Sequence, residues 1–374
     1  MKFLHTSDLH IGKRLNDCSF LEDQKYILDQ ILMLMRQYQP DGLILAGDLY
    51  DKSIPSGEAV TLLDDFLTKA AALCPVFAIS GNHDSAERLA FASRLLEKSG
   101  VYLASVYQGK IQSVRLEDEH GPLFLHLLPF IKPASVRPFF PEKEIASYDD
   151  ALTAVLSDLD LLDGSRHLLV AHQFVTGAQV CESEEQSVGG LDQVSVSHFE
   201  AFDYVALGHI HTPQQVKHPF VRYSGTPLKY SFSEAKGQKS ITLLELKEKG
   251  NCRITLLPLS PLRDLQELEG TFEEFESKDR LPEEQKNDYL HITLTDPVEI
   301  PDAAAKLRWQ YPNLLKLDQK VWQQAAAHIL EGADRPEKSL PELFAELYEK
   351  QHEKEMDEEQ LALLQNLLQK EGLA

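Results

Sequence analysis

The chain opens with KFLHTSDLH (residues 2–10), in which the short apolar run 3–4 is followed by Asp8 and His10. Four more short apolar runs are each followed by possible metal ligands, and these runs are 43–46, 76–79, 168–171 and 204–207. Buried strands of α/β sheets read as apolar runs, and residues at their carboxyl ends face the crevice where such sheets bind ligands. The repeated pattern therefore predicts an α/β sheet with a ligand site at one edge.

Seven side chains after these runs form the candidate ligand set, and they are Asp8, His10, Asp48, Asn82, His172, His209 and His211. Seven ligands are too many for one tetrahedral site with an open position, but they suit two metal ions that share a carboxylate. Mixed imidazole and oxygen ligands without a thiolate favour Mn²⁺, Fe or Zn²⁺ over Ca²⁺ or Mg²⁺. Two such ions can stabilise both the attacking and the leaving oxygen of a displacement at phosphorus. The set therefore predicts a dinuclear centre for phosphoester hydrolysis.

His83 and Asp84 follow the expected ligand Asn82 directly. We expect them beside the metals, His83 as an acid and Asp84 as the carboxylate that orients it. No serine or cysteine nucleophile is needed, because a pair of metal ions activates water. Five other histidines lack a complete motif and are expected to be structural; they are His5, His126, His167, His198 and His218.

Composition is typical of a soluble globular protein, with 374 residues, 43% hydrophobic and 26% charged. The four scattered cysteines suit a reducing compartment, and the start of the chain lacks the apolar core of a signal peptide. We therefore expect a cytoplasmic protein without membrane spans. The net charge of −22 leans weakly against DNA binding, since acidic proteins repel nucleic acid. Much of that charge lies in segments 264–290 and 331–374, each with a net −7.

Apolar periodicity predicts helices at 21–38, 57–73, 87–99 and 149–162. A second sheet is expected from 101–103, 111–116 and 123–127, and further strands are expected at 221–224 and 240–246. Helices covering two sheets are the most economical architecture for this order.

Beyond residue 258 the pattern changes to a β-α-β-α-β module, with segments at 265–268, 271–276, 289–294, 301–310 and 314–317. A polar linker is expected at 331–338, followed by two helices that begin with capping boxes at Ser339/Glu342 and Asp357/Gln360; Gly372 follows the second. Each helix has an apolar stripe, which would suit a partner groove or coiled coil at least as well as a core. The first stripe is Leu340, Leu343, Phe344 and Leu347, and the second is Leu361, Leu364, Leu367 and Leu368.

The ligand motifs resemble those of the calcineurin-like metallophosphoesterases, with D-x-H, GDLYD (47–51), GNHD (81–84), a lone histidine and GHIH (208–211). The flanking segments 5–12, 45–51, 80–85, 188–192, 206–211 and 224–234 are similar to those of bacterial nuclease subunits that work with a coiled-coil ATPase. The resemblance implies a four-layer αββα sandwich in 1–258, a small α+β capping and DNA-recognition domain in 259–330, and a linker with two ATPase-binding helices in 331–374.

The resemblance also implies the assignment of ligands. One ion would be bound by Asp8, His10, Asp48 and His211, and the second by Asp48, Asn82, His172 and His209, so that Asp48 bridges. Asp51 departs from the histidine that archaeal and eukaryotic relatives carry, and it receives no role. The implied protein is a Mn²⁺-dependent DNA exonuclease and endonuclease of DNA repair, recombination and replication. It would pair as a homodimer in a two-plus-two assembly with the ATPase.

Two other functions remain open from the sequence. A phosphatase or cyclic-nucleotide phosphodiesterase would use the same ligands, but it has no need of the module and the terminal helices. A non-catalytic scaffold would keep the fold without metal, and the complete ligand set argues against it. The apolar stripe between Leu89 and Leu96 is assigned to the core at about two to one over an interface, although the resemblance implies dimerisation through helices in this region.

Overall fold

The computed structural model describes residues 1–16, 18–91, 93–161, 163–181, 184, 192–277 and 280–320, and single positions between 341 and 367. The strands in chain order are β1 Lys2–Thr6, β2 Arg14–Leu15, β3 Cys18–Ser19, β4 Gly42–Ala46, β5 Val76–Ile79, β6 Val101–Ala104, β7 Gln112–Asp118, β8 Gly121–Leu127, β9 Arg166–His172, β10 Phe174–Val175, β11 Gln193–Val194, β12 Tyr204–Gly208, β13 Gln214–Val216, β14 His218–Tyr223, β15 Ser240–Leu246, β16 Cys252–Pro258, β17 Leu265–Gly270, β18 Tyr289–Leu294 and β19 Leu314–Gln319. The α-helices are α1 Leu21–Tyr38, α2 Gly57–Ala71, α3 Ala86–Ala90, α4 Ser93–Glu97, α5 Pro133–Val136, α6 Tyr148–Leu156, α7 Phe272–Glu276 and α8 Ala303–Arg308.

Two six-stranded sheets contain most of the strands. The first has the order β16-β15-β1-β4-β5-β6, in which β1, β4, β5 and β6 are parallel. The second has the order β13-β14-β12-β9-β8-β7, in which β8, β9, β12 and β14 are parallel. Antiparallel strands complete both sheets. The parallel strands that precede the expected ligands therefore end at a common edge within each sheet, which is where α/β sheets bind ligands.

The sheets are stacked in the middle of a four-layer arrangement. Alternate side chains of β4 face opposite ways: Leu43 and Leu45 pack in a core with α1 and α2, whereas Ile44 and Ala46 pack in a core between the sheets. Strand β9 alternates in the same way between the core between the sheets and a third core under α6. Both faces of these strands are buried, which explains why the sequence shows continuous apolar runs. The αββα sandwich is confirmed.

Several local expectations need correction. The strand expected at 101–103 in the second sheet is β6, and it pairs in parallel with β5 of the first sheet. The helix expected at 87–99 is divided into α3 and α4, since the backbone at Phe91 is extended, with φ −60° and ψ 129°. The helix expected at 149–162 ends at Leu156. Strands β13 and β16 were not expected; β16 is mostly only half-buried, so its apolar pattern is weak.

The predicted β-α-β-α-β module is confirmed as β17, α7, β18, α8 and β19, with β18 as the central strand. Its own core contains Phe275, Leu290, Ile292 and Tyr311. Asp23 of α1 contacts the module and the segment before it: it accepts a hydrogen bond of 2.7 Å from the hydroxyl of Tyr289 in β18, and Arg263, just before β17, donates to both of its carboxylate oxygens at 3.0 and 2.8 Å.

The chain divides into two compact units, Met1–Leu294 with Ile300–Asp318 and Thr295–Glu299 with Gln319–Ala374. The domain boundaries expected at 258 and 330 stay predictions.

In the second unit the backbone N–H groups of Asp357 and Gln360 each donate to the other's side chain, at 3.0 and 2.9 Å, which confirms this capping box. The linker 331–338, the other capping box, parts of both apolar stripes and Gly372 lie outside the described residues. Among the helices that are described, none has the length and apolar character to cross a membrane.

Candidate metal centre

The expected ligands lie in loops with strained backbone. Asp8, His10, Asp48 and His209 have positive φ angles of 52°, 44°, 48° and 103°. Residues other than glycine rarely adopt this conformation, which costs of the order of 1–3 kcal/mol and is typical of functional sites. Hydrogen bonds between the loops hold it, since the backbone N–H of Asp8 donates to Gly47 O at 3.0 Å and that of His10 to Asp48 O at 2.9 Å.

Two motif glycines are required by close approach of neighbouring atoms. A Cβ atom at Gly81 would overlap the side chain of Asp48, and one at Gly208 would overlap the carbonyl oxygen of Ala46. Neither neighbouring group can move to make room, because Asp48 is an expected ligand and the carbonyl of Ala46 belongs to the backbone of β4. These glycines let the GNHD and GHIH loops pack against the loop that carries Asp48.

The first group of ligands is brought together as expected. Asp8, His10 and His211 each offer a ligand atom within 4.8 Å of the others. His10 Nε2 lies 3.2 Å from His211 Nε2 and 3.6 Å from Asp48 Oδ2. All four side chains are buried.

The second group also meets at Asp48. Asn82 Oδ1 lies 3.0 Å from both His172 Nε2 and His209 Nδ1, and Asp48 Oδ2 lies 3.4 Å from His172 Nε2. His172 Nδ1 is 2.8 Å from the carbonyl oxygen of Ala46. A proton on Nδ1 donated to that carbonyl leaves Nε2 as the ligand atom.

Asp48 lies between the two groups, where a bridging carboxylate would have to be. Its Oδ2 faces imidazoles of both groups, and its Oδ1 accepts a hydrogen bond of 2.9 Å from the backbone N–H of His83. The groups are also joined directly, since the backbone N–H of His209 donates to Asp8 Oδ1 at 3.0 Å.

Burial and the charges of neighbouring groups together determine the ionisation of these side chains. Burial lowers the pKa of His10 to about 3 and that of His209 to about 4, so both imidazoles are neutral at neutral pH. It raises the pKa of Asp8 to about 7. Burial would raise the pKa of Asp48 and lower that of His172, but their mutual attraction dominates: the pKa of Asp48 is lowered, and that of His172 is raised to about 9.

This donor set fits divalent metal ions. Neutral imidazoles offer free lone pairs, and two buried carboxylates lie among them with no lysine or arginine in the described ion pairs of either group. Buried charge needs an opposite charge, and a cation would supply it while favouring the deprotonated forms of Asp8 and His172.

The model of the calcineurin-like phosphoesterase family matches residues 1–213, and that of the type 5 capsule protein repressor C-terminal domain matches residues 261–352. The chain is 34% identical to the SbcD subunit of the SbcCD nuclease from Staphylococcus epidermidis over 380 positions, covering 100% of both chains. It is 36% identical to the SbcD subunit from Staphylococcus saprophyticus, covering 86% of this chain and 85% of that one. The chain belongs to the SbcD family of calcineurin-like phosphoesterases. It is therefore a hydrolase of the phosphodiesterase class that uses divalent metal ions.

Comparison with solved structures finds TT1561 of Thermus thermophilus, with 14% identity, a TM-score of 0.40, and coverage of 68% of this chain and 98% of that one. A dimetal phosphatase from Danio rerio has 12% identity and a TM-score of 0.41, and covers 70% of this chain and 99% of that one.

In this SbcD-family chain, His83 lies beside the ligands, but the hydrogen bonds and ion pairs of the described residues include none between its ring and the carboxylate of Asp84. The carboxylate of Asp84 instead accepts three backbone hydrogen bonds, from Leu49 at 3.0 Å, Tyr50 at 2.9 Å and Gly81 at 3.0 Å. His83 Nδ1 lies 3.0 Å from the carbonyl oxygen of Asp51. Asp84 therefore joins the two loops through backbone hydrogen bonds, and the group that faces the ring of His83 is the backbone carbonyl of Asp51; the roles expected for His83 and Asp84 stay predictions.

Four further residues of the SbcD-family centre were missed from the sequence: Gln24, Tyr230, Glu234 and Lys239. Gln24 donates to the carbonyl of His10 at 2.7 Å and to the hydroxyl of Tyr230 at 3.0 Å. Lys239 Nζ donates to the carbonyl of His211 at 2.8 Å and forms a buried ion pair with Glu234. A polar residue on the apolar face of α1 was a signal for Gln24. Tyr230 and Glu234 lie in segment 224–234, which carries part of the resemblance, whereas no local pattern marked Lys239 as the ion-pair partner.

Histidines without a motif have contacts of other kinds. His5 Nδ1 lies 3.0 Å from the hydroxyl of Tyr204. His126 lies between the hydroxyl of Ser113, at 2.7 Å, and His167 Nδ1, at 3.0 Å, and His167 in turn contacts a carboxylate. His198 and His218 lie within 4 Å of carboxylates, Asp149 at 2.8 Å and Glu200 at 3.5 Å.

Proposed function

We propose that this chain is the nuclease subunit of an SbcCD-type complex and hydrolyses DNA phosphodiester bonds with two Mn²⁺ ions. The observation that carries the proposal is the convergence of Asp8, His10, Asn82, His172, His209 and His211 around Asp48, in a chain whose full-length relatives are named nuclease subunits. The setting would be DNA repair, recombination and replication in the cytoplasm.

The residues of the centre have distinct roles in this proposal. Asp8, His10, Asp48 and His211 would bind one ion, and Asp48, Asn82, His172 and His209 the other. When bound, the ions would activate water and stabilise charge on the attacking and leaving oxygens.

His83 would act on a proton rather than on a metal. Its Nδ1 faces the carbonyl of Asp51 at 3.0 Å, so a proton on that nitrogen leaves Nε2 to exchange a proton with the substrate. Its ring lies edge-on to His10, with centroids 4.8 Å apart, which puts it beside the ligands. His83 would therefore protonate the leaving oxygen or stabilise the transition state.

The nuclease reading is favoured over a phosphatase or a cyclic-nucleotide phosphodiesterase. The names of both relatives, the family match over residues 261–352 and the additional α+β module all support it. The complete set of buried donors opposes a scaffold without metal.

The partner would be an SbcC-like coiled-coil ATPase that binds residues 336–374. In this segment Phe344, Leu347 and Leu367 are 49%, 41% and 53% exposed. Apolar side chains at helical spacing that stay exposed suit a groove in another protein. The acidic character of the segment suits a basic surface on that partner.

A second copy of the chain would bind at the helices after β5. Phe91 and Leu95 are 84% and 66% exposed. They lie at α3 and α4, beside a mostly apolar groove of about 570 Å³ whose lining includes Phe91, Leu89 and Leu67. Exposed apolar surface of this kind marks interaction sites. The expected product is a two-plus-two heterotetramer.

Nuclease assays of the purified chain, with and without its ATPase, test the proposal. The substrates are linear duplex, hairpin and single-stranded DNA with Mn²⁺ or Mg²⁺. His83→Ala should cleave about 10²–10⁴-fold more slowly while its metal content stays normal. His198→Ala, a histidine outside the centre, is the matched control and should cleave at the wild-type rate. Hydrolysis of small phosphomonoesters without any DNA cleavage by the complex would refute the nuclease assignment.

A further inference from the structure

One buried nitrogen beside the candidate centre lacks a hydrogen bond. His10 is fully buried, and its Nε2 faces Asp48 and His211. Its Nδ1 makes no hydrogen bond to any residue that the structure describes. The carboxylate oxygen Oδ1 of Asp51 lies 3.7 Å from this Nδ1. The residue left without a role by the sequence therefore faces the side of His10 that is turned away from the expected metal.

Asp51 contacts two histidines through different parts of the residue. Its carboxylate faces His10, and its backbone carbonyl lies 3.0 Å from His83 Nδ1. Its own backbone N–H donates to Ile11 O at 3.2 Å, and its side chain is only 10% exposed. The carboxylate is therefore fixed in place. A change of its side chain alters the contact with His10 and leaves the backbone contact with His83.

We propose that Asp51 is a positioning residue that keeps the proton of His10 on Nδ1, so that Nε2 is presented to a divalent cation. This rests on the proposed function. At 3.7 Å the carboxylate acts mainly through its charge, which favours a proton on the facing nitrogen Nδ1 and opposes the attraction of Asp48 Oδ2, which lies 3.6 Å from Nε2. A carboxylate behind a metal-binding histidine fixes both the tautomer and the ring orientation, and its loss weakens metal binding by about 10–100-fold.

A competing explanation for the position of the Asp51 side chain is that it serves only to bind Lys13. Its Nζ lies 2.9 Å from Asp51 Oδ1, the oxygen that faces His10. If Asp51 serves only to hold Lys13, removal of either partner has the same effect. If Asp51 acts on His10, removal of Lys13 leaves that action intact, because the carboxylate remains. Lys13→Met is therefore the matched control.

Calorimetric titration of the full chain with Mn²⁺ tests the proposal. Asp51→Ala should bind one of the two ions about 10–100-fold more weakly and the other as the wild type does. Asp51→Asn keeps an oxygen opposite Nδ1 but loses the charge, so its affinity should be intermediate. Lys13→Met should match the wild type. DNA cleavage by Asp51→Ala should need more Mn²⁺ than cleavage by the wild type or by Lys13→Met.

A direct measurement of the tautomer completes the test. In metal-free protein labelled with ¹⁵N-histidine, the His10 resonances are assigned by their absence in His10→Gln. They should report a larger population with the proton on Nδ1 in the wild type and in Lys13→Met than in Asp51→Ala, in which only the Asp48 carboxylate still faces the ring. Equal Mn²⁺ affinities of Asp51→Ala and the wild type, or an equal loss in Lys13→Met, would overturn the proposal while the proposed function stands. A wild-type chain that binds no Mn²⁺ would instead overturn the proposed function. If Asp51→Ala does not fold, as judged by its thermal unfolding, Asp51→Asn provides the same comparison.

Discussion

Replacing Glu234 by glutamine should lower the free energy of unfolding by about 3–5 kcal/mol, because it leaves a buried lysine without its counter-charge. Glu234 and Lys239 form an ion pair whose side chains are 2% and 6% exposed. The ammonium group of Lys239 also donates to the carbonyl of His211 at 2.8 Å and to the hydroxyl of Thr226 at 2.7 Å. Those neutral acceptors remain in the variant, but they cannot replace the charge.

The size of the effect follows from burial. Lys25 and Asp29 form an ion pair of 2.7 Å on the surface of α1, with side chains 61% and 47% exposed. A pair of this kind contributes below about 1 kcal/mol, since water screens it. Asp29→Asn therefore removes the same kind of charge in the same protein at little cost, and it is the matched control for Glu234→Gln.

Denaturant unfolding in EDTA measures both variants without any contribution from bound metal. A double-mutant cycle with Lys239→Met isolates the interaction of the pair, and we expect the double variant to lose clearly less than the sum of the single variants. If the losses are additive to within about 0.5 kcal/mol, or if Asp29→Asn costs as much as Glu234→Gln, the reasoning is refuted.

Three further predictions concern the metals, pH and the C-terminal segment. Asp48→Ala should lose both ions and His211→Ala about one, by elemental analysis; two tightly bound ions in the Asp48 variant would rule out the bridge. Burial and the charge of His167 lower the pKa of His126 to about 4. Between about pH 6.5 and pH 4 only the unfolded chain takes up the proton, so the free energy of unfolding should fall as the pH drops through this range. His126→Gln should flatten that decline by about 3 kcal/mol in EDTA unfolding series, and an unchanged pH profile would contradict the assignment. Deletion of 336–374 should leave metal binding intact and abolish co-purification with the ATPase. Binding of the wild-type chain to the ATPase should weaken as salt is added. Undiminished co-purification of the truncated chain would contradict the assignment of 336–374 as the ATPase-binding segment.

The sequence by itself was sufficient where short-range patterns carry the information. Helix α1 spans the residues that its apolar spacing predicts, and the small module has the predicted order of elements. Motifs at the ends of apolar runs were enough to name the seven donors that lie together. Strands that are buried on both faces must be apolar throughout, and the ligand residues follow them at the edge of the sheet. Both features can therefore be recognised from residues that are close together in the sequence.

Tertiary structure alone decided which distant groups meet. Strand β6 lies in the first sheet, paired with β5, and no local feature of its sequence indicates which of the two sheets it belongs to. The partners of Asp84, Asp51 and Glu234 could not be predicted from the sequence either. A carboxylate can accept a hydrogen bond from a backbone N–H, face an imidazole or bind an ammonium group. Its sequence neighbours do not distinguish these possibilities. Packing of loops from both sheets selects among them, since each buried polar atom must find a partner where the fold provides one.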